Sequence, residues 1–277
     1  MRASPTPRST PAAGAGAKPS DAAGRPARGR RRVALITGAS SGIGAAVAVR
    51  LAAGGRWDLL LNGRDRDRLG AVADRTGGAA LPVDLASPDG CRQLAEAALA
   101  HGDRVDALVA AAGLGWAGAY TDMPPAAVDR LVDVNVGAVL HLVRLLLPQM
   151  VARGSGSLVL LGSVAGRFGV RGEAVYAATK GALIPFAESL RYELRGTGVR
   201  VCLVQPGPVD TPFFAHRHAP YTRSWPRPVP AGRVAAAVEE ALTGRRPEIT
   251  VPRWLGTPGR VQGMAPNLFR RLATRFG

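Results

Sequence analysis

"RVALITGASSGIGAAVAVRLAA", residues 32–53, decides how this chain folds. Its opening, RVALI, is a short β-branched and aliphatic run with the composition of a strand buried on both faces. From Gly42 onward, alanine, valine and leucine follow without proline, and the spacing predicts a helix over 42–53. Between the two lies TGASSGIG (37–44), with Gly38, Gly42 and Gly44 in the spacing G-x-x-x-G-x-G. Such a turn permits close backbone approach and points helix N-terminal amides at the strand's carboxyl end, where they attract an anion.

The same alternation recurs downstream. Strand-like runs are predicted at 57–63, 79–84, 105–113, 156–163, 199–207 and 248–252. Helical stretches fall at 65–75, 87–100, about 123–150, about 173–196 and 231–243. Apolar strands alternating with helices imply an α/β fold: a doubly wound, parallel, seven-stranded sheet of Rossmann type, with helices on both faces, in a single domain. Ligands of such sheets bind at the carboxyl ends of the strands. The domain is expected over 32–255, with a lid over about 208–230. It is preceded by a Pro/Ala/Gly/Arg-rich tail (1–31), expected to be disordered, and followed by a basic amphipathic tail (256–277).

Composition narrows the function. Of 277 residues 47% are hydrophobic and only 5% aromatic, so the core is built mainly from Ala, Val and Leu. The formal net charge of +16 is unevenly spread. Residues 1–32 hold eight basic and one acidic side chain, and residues 214–277 hold eleven Arg and three Glu, which leaves 33–213 near neutral. A neutral body with basic ends does not resemble a specific nucleic-acid-binding domain. In the last segment Leu268, Phe269, Leu272 and Phe276 share a helix face, an arrangement compatible with weak peripheral contact with an anionic membrane. Arg31-Arg32 before VALITG imitates a twin-arginine export signal, but the apolar run breaks at Gly38. No apolar run is expected to approach a membrane span. Cys91 and Cys202 have no metal or disulfide spacing, which points to a reducing, cytoplasmic setting and no metal.

A glycine loop after the first strand is suited to a dinucleotide pyrophosphate. Strand two ends in Asn62-Gly63-Arg64 with no carboxylate immediately following, and Arg64 can pair with a 2′-phosphate, so NADP(H) is expected over NAD(H). Arg66 is a weaker candidate for the same contact. Asp84, ending strand three, is placed to touch the adenine edge. For the chemistry, Ser163 ends strand five, Asn135 lies in the helix before it, and Tyr176 and Lys180 stand at i and i+4 on one helix face. Lys18 and Lys180 are the only lysines in this arginine-rich chain. A compact ammonium and the positive nicotinamide ring near a phenol favour phenolate and lower its pKa, which makes Tyr176 a proton donor and base for a carbonyl/alcohol pair. Ser163 can hold the substrate oxygen, and Asn135 can support a water that relays protons from Lys180.

TGASSGIG (37–44), VDL (83–85), AAAG (110–113), NVGA (135–138), GSVAG (162–166), YAATK (176–180) and PGPVDT (206–211) together resemble the short-chain dehydrogenase/reductase family over roughly residues 32–255. The resemblance implies a catalytic set of Ser163, Tyr176, Lys180 and Asn135. It implies cofactor-binding positions at Gly38, Ser40, Ser41, Gly42, Ile43, Gly44, Arg64, Asp84, Leu85, Ala112, Gly113, Tyr176 and Lys180. Pro206, Gly207, Val209 and Thr211 would line the nicotinamide. Two positions depart from the family pattern. Ala110-Ala111-Ala112-Gly113 replaces N-N-A-G, which would weaken local hydrogen bonding, and Gln205 stands where the family often has Asn. The resemblance also implies a homodimer or homotetramer through the two long helices.

Loops after strands four, five and six set the substrate. They carry Leu114, Trp116 and Tyr120, then Val164, Phe168 and Val170, then Phe213, Phe214, Tyr221 and Trp225. Trp116, Val164, Phe168, Phe213 and Phe214 are the substrate candidates. This set points to a bulky apolar carbonyl or alcohol. Arg167 and Arg171 leave room for an anionic group, so 3-ketoacyl-thioester reduction is the alternative. A non-catalytic NADPH sensor and a tethered scaffold are rivals of other classes. A nucleotide-sugar epimerase or dehydratase would need more chain after strand six.

Overall fold

The computed structural model describes residues 31–257, together with Met1, Met264 and Asn267. The expected disordered N-terminal tail and the amphipathic face of Leu268, Phe269, Leu272 and Phe276 lie outside the described residues.

β1 (Arg32–Ile36) leads through the glycine turn into α1 (Gly42–Ala53). β2 (Trp57–Asn62), α2 (Arg66–Thr76), β3 (Ala79–Leu81), α3 (Pro88–Gly102) and β4 (Ala107–Ala110) follow. Then come α4 (Pro125–Val132), α5 (Ala138–Ala152), β5 (Gly156–Leu161), the single turn α6 (Ala165–Phe168), α7 (Ala174–Glu193) and β6 (Val199–Pro206). Two short strands, β7 (Val209–Asp210) and β8 (Val229–Pro230), bracket the segment expected as a lid, before α8 (Ala231–Thr243) and β9 (Glu248–Val251). The main sheet is parallel throughout, in the order β3-β2-β1-β4-β5-β6-β9. The chain winds outward from β1 on one side and from β4 on the other. The carboxyl ends of those two neighbours therefore form the switch point where a crevice opens.

Strand periodicity builds two core layers. Along β1, Ala34 and Ile36 face one side and pack with Val47, Leu51, Val234 and Val238 of α1 and α8. Val33 and Leu35 face the other and pack with Leu94, Leu142, Leu146 and Leu183 of α3, α5 and α7. Burial of both faces is why the strands read as continuous apolar runs.

Two expectations need correction, and a third gains detail. The stretch after β4 leaves the sheet at Ala110, since residues 111–113 turn toward the crevice instead of pairing. The single helix expected over about 123–150 runs as Pro125–Ala152 and carries a π-helical segment, Asp133–Gly137, between α4 and α5. That whole stretch, Pro125–Ala152, is also long and apolar enough to cross a membrane by length and composition, contrary to the expectation. Here it is a core element: Leu131, Val134, Leu142, Leu146 and Met150 are buried in the fold.

Candidate active site

One cavity of about 1780 Å³ runs along the carboxyl ends of β1, β2, β4, β5 and β6. Every expected cofactor-binding position borders it, from Gly38 through Arg64, Asp84, Gly113 and Lys180 to Thr211.

At the glycine turn the geometry excludes side chains. Gly38 is left-handed at φ +67°, and a Cβ there would come 2.8 Å from the Ala112 Cα. A Cβ on Gly44 would come 2.2 Å from the Gly38 carbonyl oxygen. The N-cap residue of α1, Ser41, offers no side-chain cap, so first-turn amides remain open beside the cavity. This is an anion cradle. The Ala-Ala-Ala departure does not leave the crossing loose, because the Ala112 amide donates to Thr37 Oγ1 at 3.0 Å.

Asn62, buried at the end of β2, donates to the Leu81 and Val83 carbonyls, both at 3.0 Å. These bonds hold the segment after β3 against the cavity, where Asp84 and Leu85 emerge. Asp84 is more committed than its sequence position suggested. One oxygen accepts from the Ala86 amide at 3.1 Å and the other pairs with Arg130 at 3.1 Å. Arg64 borders the cavity as expected, whereas Arg66 does not; Arg68, one turn further, takes that place. Asp65 also borders it, but its carboxylate caps α2 through the Arg68 amide at 2.9 Å and pairs with Arg68 Nε at 2.7 Å. Those bonds hold its pKa below the usual carboxylate value.

Ser163, Tyr176 and Lys180 meet at the far end. Ser163 is 7% exposed, and its Oγ accepts from the Ala165 amide at 3.2 Å and donates to the Pro206 carbonyl at 3.5 Å, on the same cavity wall as Tyr176. Lys180, 5% exposed, donates from Nζ to the Leu161 carbonyl at 2.9 Å. Burial lowers its pKa to about 8. Burial likewise pushes the Tyr176 phenol up, to about 12, and the Ser163 hydrogen bond only partly offsets this. Desolvation is the main cause of the upward shift, and the Lys180 ammonium is held on the Leu161 carbonyl. Asn135 does not border the cavity. It sits behind the cavity wall, fully buried, in the π-helical segment. It accepts from the Leu114 amide at 2.7 Å and donates to the Leu114 carbonyl at 2.9 Å and to Thr179 Oγ1 at 3.0 Å. These bonds fix Leu114 and Thr179 on either side of it.

A side chain at Gly113 would sit 3.3 Å from Lys180 Nζ and 3.4 Å from Asn135 Oδ1, so the glycine keeps this corner open. An open corner beside a lysine, an uncapped helix start and an arginine-flanked far end together fit a dinucleotide.

The opposite wall is aromatic. Phe213 lies 5.5 Å from the Tyr176 ring, Phe214 lies 5.7 Å from Phe213, and Tyr221 lies 4.8 Å from Phe214. Val164 and Phe168 join them on the cavity wall. Trp116 does not: it stacks on His218 at 5.4 Å, outside the lining. Arg167 is also turned away, donating to Gln205 Oε1 at 2.9 Å and pairing with Glu248. Gln205 thus has a packing role of its own. Sequence reasoning missed Asn62, Arg68, Glu173 and His216 of the lining; only Arg68, four residues after Arg64, carried a signal that helix periodicity could have exposed.

Comparison with known proteins agrees with this geometry. The family model for short chain dehydrogenases matches residues 32–221. An uncharacterized oxidoreductase from Myxococcus xanthus is 34% identical over 253 residues, 88% of this chain and 97% of that protein. A short-chain dehydrogenase from Sphingobium yanoikuyae, solved in complex with NADPH, is similar with a TM-score of 0.73 at 30% identity, over 85% of this chain and 96% of the other. A short chain dehydrogenase/reductase from Burkholderia phymatum in complex with NAD gives 0.76 at 29% identity, over 86% and 95%. This chain therefore belongs to the short-chain dehydrogenase family, oxidoreductases that act on the CH–OH/C=O pair with a nicotinamide cofactor.

Proposed function

We propose that this oxidoreductase uses NADP(H) and interconverts a carbonyl and an alcohol on a bulky apolar substrate. The observation that carries the reading is one continuous cavity, which has arginines at one end and brings Ser163, Tyr176 and Lys180 together beside an aromatic wall at the other. When bound, the nicotinamide supplies or accepts the hydride at the substrate carbon. Tyr176, its proton held firmly by a desolvated site, donates that proton to the carbonyl oxygen in reduction. Ser163 orients the same oxygen. Lys180, with a pKa of about 8, stands in the range where it can pass a proton on near neutral pH. Asn135 fixes Leu114 and Thr179, and through them the walls of the site.

Preference for the 2′-phosphate rests on Arg64 and Arg68, and on Asp65 being occupied as a helix cap. The solved relatives bind NADPH in one case and NAD in the other, so the preference is this chain's own property to test. NADPH and NADH oxidation is to be followed against a carbonyl panel from small polar ketones to long-chain aldehydes, steroid-like ketones and ketoacyl thioesters. The bulky apolar members are expected to be preferred. Arg64→Ala should raise the Kd for NADPH about 10- to 100-fold, the loss of a charged hydrogen bond, with little change for NADH. Equal effects on both cofactors would refute the phosphate assignment. Absence of turnover with NADPH still bound would favour the sensor reading.

A second reading, 3-ketoacyl-thioester reduction, is favoured by Arg171 and Arg223, which border the cavity side by side, with Arg223 Nη2 3.5 Å from the Arg171 carbonyl. Two cations at the mouth suit the phosphate of an acyl carrier. We further infer a homodimer or homotetramer, supported by the exposed Val132, Leu140, Leu145 and Val151 along α4 and α5. The free, buried Cys91 and Cys202 support a reducing, cytoplasmic setting.

A further inference from the structure

Glu173 stands where α7 begins, one helical turn before Tyr176. A helix start favours an acid, but a carboxylate beside the phenol opposes phenolate. Its partner comes from the lid: Arg217, 44 residues later, pairs with it, and the two side chains are only 7% and 13% exposed. The guanidinium also lies over the Phe214 ring at 4.8 Å and 5.9 Å from that of Tyr221. Its Nε donates to the Ala219 carbonyl at 3.1 Å. The Arg217 carbonyl accepts from the Ala117 amide at 2.8 Å, and the Gly118 amide donates to the Gly172 carbonyl at 2.9 Å. The Trp116–His218 stack closes the same junction. Three segments, the loop after β4, the loop before α7 and the lid, are thus tied together around one buried cation.

We propose that Glu173 and Arg217 form a positioning and specificity-determining pair, which docks the lid on the helix bearing Tyr176 and so sets the aromatic wall that selects the substrate. The inference rests on Tyr176 being the proton donor of the proposed function. Arg217 does not border the cavity. It acts through Phe213 and Phe214, whose rings lie between it and the phenol. Stacking on Phe214 while pairing with Glu173 needs a planar cation, which lysine does not provide. The charged groups acting on the phenol are Glu173 from its own helix and Arg217 from the lid, while Lys180, one turn further along that helix, is held on the Leu161 carbonyl of β5. The pair therefore keeps a nearly neutral environment around the phenol while holding the lid.

The test uses the full chain and three variants: Glu173→Gln, Arg217→Met, and the double E173Q/R217M. The double leaves no lone buried charge, so it remains informative where a single variant folds poorly. Hydrogen exchange needs no substrate. In the double, segments 114–119 and 211–227 are expected to exchange about ten-fold faster or more, with β1 and α1 unchanged. On the carbonyl panel, its kcat/KM for the bulkiest substrates should fall about ten-fold relative to small ketones, with dinucleotide Kd unchanged. In alcohol oxidation, the ascending limb of the pH profile should move to higher pH in Arg217→Met and to lower pH in Glu173→Gln. A purely structural role would move both in the same direction. Unchanged lid exchange, exchange that rises equally everywhere, or an unaltered bulky-to-small ratio would overturn the pair's role. If the wild type turns over no carbonyl, the oxidoreductase reading fails separately, and exchange still decides whether the pair docks the lid.

Discussion

At the scale of single residues, the site is governed by desolvation more than by pairing. Tyr176 and Lys180 were visible in the sequence as an i, i+4 pair, and the structure brings both to one cavity end. What spacing could not reveal is where each polar atom finds its partner. Lys180 turns to the Leu161 carbonyl and Asn135 to the Leu114 backbone, because each is nearly or wholly buried and must be satisfied there. Glu173 and Arg217 were illegible for a different reason: their contact spans 44 residues and leaves no periodic trace. The buried lysine has a measurable consequence. Its pKa falls from 10.5 to about 8, so between those values the unfolded chain binds more protons than the folded one. Stability from this site therefore rises with pH across that window, by on the order of 3 kcal/mol in total. Urea melts of wild type and Lys180→Met at pH 7.5 and 9.5 should show the difference moving toward the wild type at the higher pH. A pH-independent difference would mean that the ammonium is solvated.

At the scale of elements, boundaries were legible where punctuation was local. The helix at 42–53 and the helix at 231–243 match their expected ranges, the first set by the glycine turn and the second by Pro230 and Gly244. The π-helical break at Asp133–Gly137 was not legible, since VDVNVGAV continues an apolar helical pattern and the extra residue shows only in the hydrogen bonding. That break seats Asn135 against Leu114, consistent with the use of such bulges at functional sites. The turn between β1 and α1 is the most constrained junction. Gly44→Ala would drive a methyl into the Gly38 carbonyl, backbone against backbone, with no flexible group to yield. A loss of about 1–3 kcal/mol in denaturant melts is expected, together with loss of dinucleotide binding by fluorescence titration. Binding at wild-type strength would show that the helix start is not the anion cradle.

At the scale of the whole molecule, the parallel sheet and a site at its strands' carboxyl ends followed from strand–helix alternation, whereas the strand order and the β1/β4 crevice are seen only in the structure. The aromatic wall was legible as a composition of loops, but its membership was not: Trp116 is used to pack the junction and Tyr221 to line the cavity. The same limit applies to surfaces. The run over 125–152 is apolar enough to suggest a span, yet one face packs the core and leaves Leu140 and Leu145 exposed on the other. If that face joins subunits, the wild type sediments as a dimer or tetramer, and Leu140→Asp with Leu145→Asp shifts it to monomer. A wild-type monomer by sedimentation velocity would place those leucines at no subunit contact.

The central claim is that the Tyr176 phenol transfers the proton. Its most direct test is NADPH oxidation with the best panel carbonyl, comparing wild type with Tyr176→Phe. The account predicts a fall in kcat of about 10²- to 10⁴-fold, with NADPH Kd within about two-fold and an unchanged melting profile. Turnover undiminished by removal of the hydroxyl would contradict it.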